Sequence, residues 1–227
     1  MHIHLPKPLH GWREFIGEVS IIVIGVLIAL LAEEVVQSLH WRGEVRDFRA
    51  AVDHELALNL GTFRYSERQR PCIERRLTEL QTFLERSRKG EVVQLEGRIG
   101  GPAQLSQYTS VWDNKDAAVV AHLPLGTRLK YAQLYDEFRN TNEIKGLQSQ
   151  VWQQLIAFDE PGALTLEDRR KLHELIVLAH ALDKVMQANY PISLRLGAAL
   201  GIHPEDTEDT PKLGPSLAIC KPILAKS

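Results

Sequence analysis

FIGEVSIIVIGVLIALLAEEVV, residues 15–36, decides how the chain is built. Its centre, Val19 to Ala32, carries no charge and no proline, and Ile, Val and Leu dominate it. That centre is about 14 residues, or about 21 Å of helix, short of a bilayer core of roughly 30 Å. Runs of this length also serve as buried soluble helices and as signal-peptide cores. With its flanks the run reaches about 22 residues and about 33 Å, enough to span. Glu18, Glu33 and Glu34 then lie at the two interfaces, where the penalty for a carboxylate falls. Trp12 and Trp41 sit just outside the two ends, as interfacial aromatics do, with Arg13 and Arg42 beside them. A soluble helix apolar on every face needs a large core around it, and the remaining chain is too amphipathic to provide one. A cleaved signal peptide fits less well. Glu14 and Glu18 precede the run, and the best cleavage point, after Ala32, has Leu30 where a small residue is wanted. The reading is an uncleaved single-pass anchor.

Composition bounds the rest. The chain has 227 residues, 25% of them charged, and a formal net charge of -2. No basic excess points to nucleic acid as a partner. After the span roughly 190 residues remain, enough for one modest domain with its own core. Charge barely orients the anchor: Lys7 and Arg13 stand before it, and Arg42, Arg46 and Arg49 after it. The two cysteines, Cys72 and Cys220, tip the balance. Outside the cytoplasm they can pair. The bridge would close a loop of about 147 residues and stabilise by at most roughly 5 kcal/mol in the chain-entropy model. The competing reading is two buried free thiols in the cytoplasm.

Residues 1–14 read as a short cytoplasmic tail kept extended by Pro6 and Pro8. His2, His4 and His10 lack an acidic or cysteine partner and make a poor metal site. Residues 37–70 read as a stalk that becomes the first helix of the outer domain. Val45, Phe48, Val52, Leu56, Leu60 and Phe63 recur at steps of three and four. Gly43 or Gly61 is placed to bend it. Residues 71–202 read as a helical domain. Pro71 is expected to restart a helix, with Ile73, Leu77, Leu80 and Leu84 inward and the charges of Glu74-Arg75-Arg76 and beyond on a solvated face. Gly90 should end that helix, and residues 91–107 read as loop.

Ser110 to Asp113 has capping-box spacing and should open a short helix that stops before Pro124. Thr127 should cap a longer helix with Leu129, Tyr131, Leu134, Tyr135 and Phe138 on one face. That helix continues through Ile144, Leu147, Val151, Trp152 and Leu155, and Gly146 could kink it. Thr165 and Asp168 form a second capping signal ahead of Leu172, Leu175, Ile176, Ala179, Leu182 and Met186. Pro191 is expected to break this helix, leaving a last short one that ends at Gly201. Residues 203–227 read as an extended tail that brings Cys220 back. The fold class is all-α: a transmembrane helix, a stalk and a bundle of about five further helices.

Three constellations bear on function. Glu18, Gly25, Ala29, Ala32 and Val36 fall near one line of the span, and Gly25-x-x-x-Ala29 is a small-xxx-small pair that lets helices approach closely. Glycine is also simply common in membrane helices. Trp112, Tyr131, Tyr135 and Trp152 are candidates for an aromatic-lined pocket, although aromatics at helical spacing are more often core. His173 and His180 are seven apart; the HExxH of zinc proteases is absent, as are a Gly-x-Ser-x-Gly elbow, a P-loop and a dinucleotide fingerprint. No cofactor is expected.

The opening KPLHGWREFIGEVSIIVIGVLIALLAEEVV resembles the start of a family of uncharacterised single-span proteins of Gram-negative bacteria. The features shared are Gly17-Glu18, Val26 to Leu30 and Trp41-Arg42, with Arg70-Pro71-Cys72 through Leu77, Trp112 and Tyr135 further along. The resemblance implies an inner-membrane location and no particular activity. The expected function is a non-enzymatic, membrane-anchored assembly or interaction module, N-terminus in the cytoplasm and helical domain in the periplasm. Its partners would be the bilayer and either a second copy or another membrane protein reached through the span. The competing expectation is a small-ligand sensor or enzyme using the aromatic pocket.

Overall fold

The computed structural model describes residues 11–160, 162–206 and 217–224. His2, His4 and His10, and most of the acidic stretch after residue 206, lie outside them. The described residues form α1 (Trp12–Arg88), α2 (Ser110–Asp113), α3 (Ala117–Ala121), α4 (Leu125–Ile156) and α5 (Leu166–Ala198), with 3-10 turns at Ala157–Asp159 and Ala218–Cys220 and no strand among them. The fold is all-α, with four α-helices after α1 among the described residues where about five were expected. Neither proline divides a helix: Pro71 lies inside α1 and Pro191 inside α5. Both sit on exposed faces. The carbonyls they free, at Glu67 and Gln187, are partly open to water, and the buried faces on either side hold the helix together. Likewise α4 runs unbroken through Gly146.

The chain divides into two units between Phe48 and Arg49. The first is the start of α1, which begins at Trp12, inside the stretch read as a tail. It contains one helical stretch long and apolar enough to cross a membrane, and none of its most apolar window is buried. Ile21, Ile22, Ile24, Leu27, Ile28 and Leu31 are all more than half exposed.

The second unit is a bundle of three long helices. Along α1 and α4 the contacts rise together: Asp53 with Tyr131, Glu55 with Tyr135, Phe63 with Phe138 at 5.6 Å between ring centres. These two helices therefore run parallel. Against α5 they fall: Ser87 with Arg169, Phe63 with Tyr190, Leu60 with Gly197. So α5 runs antiparallel to α1. The core joins Ile73, Leu77, Leu80 and Leu84 to Val151, Trp152 and Leu155 and to Leu172, Leu175, Ile176 and Ala179. Leu129 and Leu147, expected on the inner face of α4, are exposed.

Capping follows tertiary partners as much as local spacing. At α5 the capping box of Thr165 and Asp168 is present in both directions. At α2 no such box forms. The Glu55 carboxylate of α1 accepts from the Ser110 hydroxyl and from the Val111 N–H, so a neighbouring helix does the capping. Asp116 caps a separate α3, and α4 starts after Pro124, with Thr127 inside its first turn. Gly61 has its own reason: a Cβ there would stand 1.7 Å from the Glu205 carbonyl oxygen, so the glycine lets the returning chain cross α1.

Candidate functional site

Between α1 and α4 the extended residues 91–109 run back down the bundle, and they have no strand to pair with. Buried backbone polar groups need partners. Here side chains supply them. The Asn59 amide both accepts from the Tyr108 N–H at 2.7 Å and donates to its carbonyl at 2.6 Å. Gln69 clamps Ala103 in the same two-way fashion, and Asn142 of α4 clamps Gln107. Asp159 accepts from the Ile99 N–H. Thr62, Gln69 and Arg76 follow Glu55 at seven-residue steps, so one line of α1 carries the polar side chains that receive this segment.

Arg76 is the hub of the far end. Its side chain has no exposure, although sequence places it on a solvated face. It donates to the Glu79 carboxylate at 3.1 Å, to the Arg98 carbonyl at 3.0 Å, and to the Ala218 and Lys221 carbonyls of the C-terminal segment. Burial lowers its pKa and Glu79 opposes that. Cys72 and Cys220 are bonded, with their Cα atoms 4.8 Å apart, and Ile219 and Ile223 are fully buried beside them. Replacing Arg76 with Met should cost about 3 kcal/mol, since it strands the carbonyls it satisfies while Glu79 keeps some water. Denaturant unfolding checks the loss; a change under ~1 kcal/mol would show that the hub is not structural.

The expected aromatic pocket is a packed stack. Trp112 lies face to face with Tyr135 at 5.3 Å and edge-on to Tyr131 at 6.0 Å. The two phenols donate to Glu55 and Asp53. Burial, before those carboxylates, pushes the Tyr131 pKa up to about 12 and that of Tyr135 further in the same direction. Trp152 lies some way off, about 25 Å along α4 from Tyr135 by helical rise, in the core around Cys72 and Leu155. The four residues do not converge on one cavity.

A cluster of perturbed groups does occur about three turns of α4 beyond Tyr135. Lys145 is 7% exposed, donates to the Leu105 carbonyl and lies 6.0 Å from the centre of the Phe63 ring. Burial pulls its pKa down to about 7. Asp183, on the same cleft, is held above the usual carboxylate range by burial, which the Gln187 amide partly offsets. Tyr190, also buried, is shifted upward. Amines tuned to neutrality can act as bases. This cleft, however, has a volume of about 20 Å³, room for a water rather than a substrate. Lys145 is spent on holding the extended segment.

In the exposed apolar stretch of α1, Glu18, Gly25, Ala29 and Ala32 are all exposed, and a Cβ on Gly25 would meet nothing within 4 Å. His173 and His180 lie on the exposed side of α5. Among the described residues no group of three or more His, Cys, Asp or Glu could hold a metal ion. Sequence reading missed Arg76, Lys145 and the amide clamps. The available signal was the polar residues at seven-residue steps beside the apolar stripe of α1. No family model matches the chain, no curated protein is similar to it, and no solved structure matches it.

Proposed function

We propose that the chain is a single-pass protein of the bacterial inner membrane, with its N-terminus in the cytoplasm, that works as a non-enzymatic assembly or interaction module. The observation that carries this reading is the first unit: a helix apolar on every side with none of those sides covered. In water such a surface is strongly unfavourable, at about 25 cal/mol per Å². In lipid it is at home. The disulfide supports a second unit in an oxidising compartment, which for an inner-membrane protein is the periplasm. The resemblance of residues 7–36 to single-span inner-membrane proteins agrees with that placement.

The small face of Gly25 and Ala29 supports helix-to-helix contact within the bilayer, with another copy or another membrane protein. Extraction in mild detergent should then yield an oligomer or a complex with a membrane partner. Gly25→Ile, which adds a branched side chain to that face, should weaken the assembly by tenfold or more in analytical ultracentrifugation in detergent. A protein that extracts alone and monomeric, indifferent to the substitution, would end the assembly reading. Recovery of the full chain in the supernatant after membranes are pelleted would end the anchor reading as well.

A further inference from the structure

A pocket of about 400 Å³ opens where the end of α1 meets the start of α5, lined by Arg88, Leu166, Arg169, Arg170, His173 and Glu174. Three guanidinium groups face one carboxylate there, in a chain whose formal net charge is -2. Arg88, in the last turn of α1, suits that helix's negative end, but the local structure gives no such reason for Arg170. The last carbonyls of α1 are already satisfied: Glu85, Arg86 and Ser87 accept from the N–H groups of Lys89, Glu91 and Gly90. Arg86 pairs with Glu91 at 2.7 Å. Arg169 donates one nitrogen to the Ser87 carbonyl at 3.0 Å, which fixes it at the pocket wall, and among the described residues its guanidinium makes no other hydrogen bond. Among the described residues neither Arg88 nor Arg170 has a hydrogen-bond or ion-pair partner, and Glu174, one turn on from Arg170, pairs with neither.

Arg169, Arg170 and Lys171 stand in the second turn of α5, behind an acidic first turn that holds Glu167 and Asp168. The N-terminal donors themselves are engaged by the capping box, so the helix end is not what would bind. Arginine forks match phosphate oxygens two at a time. Leu166, 59% exposed, offers an apolar floor beside them.

The geometry points to a binding site for a phosphate-bearing ligand, with Arg88 and Arg170 as the free forks and Arg169 as the fixed one. The phosphate could belong to a soluble ester or to a lipid headgroup; the chemistry recognised is the same. The test uses the full chain in an uncharged detergent. Inorganic pyrophosphate is titrated by calorimetry, and phosphatidylglycerol or phosphatidylcholine is doped into the micelles with thermal unfolding as the readout. Saturable pyrophosphate binding supports a soluble ligand; stabilisation by phosphatidylglycerol alone supports a headgroup. In either case R88Q/R170Q should weaken binding by tenfold or more without changing the melting temperature of the unliganded protein. Lys89→Gln, which removes a nearby charge outside the pocket, should leave binding within twofold. Arg170→Lys should fall between, because it keeps the charge and loses the fork. The site is refuted if neither probe saturates, or if Lys89→Gln costs as much as the double substitution.

Discussion

Opening the bridge between Cys72 and Cys220 should reduce the stability of the helical domain by a ceiling of about 5 kcal/mol. The two cysteines are separated by 148 positions, so the bridge closes a loop that takes in α4 and α5 whole. In the denatured chain that closure removes many conformations, and its effect grows only with the logarithm of loop length. The native state should survive its loss. Ile219 and Ile223 remain fully buried, and Arg75 and Arg76 still donate to the Cys220, Ala218 and Lys221 carbonyls. C72A/C220A should therefore give a folded, helical protein whose urea midpoint drops sharply. A midpoint within the scatter of the wild type would mean that the crosslink constrains the denatured chain hardly at all. Adding a reductant to the wild type should reproduce the shift, and adding it to the variant should do nothing.

The second large effect is a rise in stability with pH that belongs to Lys145. Its ordinary pKa is 10.5 and burial brings it to about 7 in the folded protein. Below pH 7 both states carry the proton and the burial penalty is fully present. Between about 7 and 10 the unfolded chain holds a proton that the folded chain has released, so stability rises with pH. The ceiling over the full interval is about 5 kcal/mol, and the Leu105 carbonyl, a better acceptor for ammonium than for amine, reduces it. Tyr131, Tyr135 and Tyr190 work in the opposite sense. Their folded pKa values are raised above 10.0, so stability falls as the unfolded phenols ionise. A maximum near pH 10 is expected in denaturant titrations. Lys145→Met should flatten the rise, while costing about 1 kcal/mol for the Leu105 carbonyl it leaves unpaired. An unchanged slope in the variant would show that the ammonium reaches water.

What was legible in the sequence follows from what a periodic pattern encodes. The uncharged run from Val19 to Ala32 was legible as one apolar helix because its residues need no partner to be read, and the structure leaves that helix uncovered. Thr165 and Asp168 were legible because a capping box is local. The pairing of two lone cysteines was legible by count. The prolines misled because their cost depends on which face they occupy: Pro71 and Pro191 both face outward, which a residue type does not say. Arg76 was hidden for the opposite reason. Its burial is decided by carbonyls at Arg98, Ala218 and Lys221, more than twenty positions away at the nearest. The aromatic residues were correctly seen as inward-facing, but one-dimensional spacing could not separate a ring stack around Trp112 from a core tryptophan at 152.

The side-chain clamps on residues 91–109 limit how this domain can recruit another protein. An uncovered extended segment ordinarily offers a row of free amides and carbonyls on which a foreign peptide can lie down as a new strand. Here Asn59, Gln69 and Asn142 have already occupied three such positions from both sides, each taking the donor and the acceptor together. The template for edge-to-edge growth is spoiled, and with it a common route to fibrillar self-association.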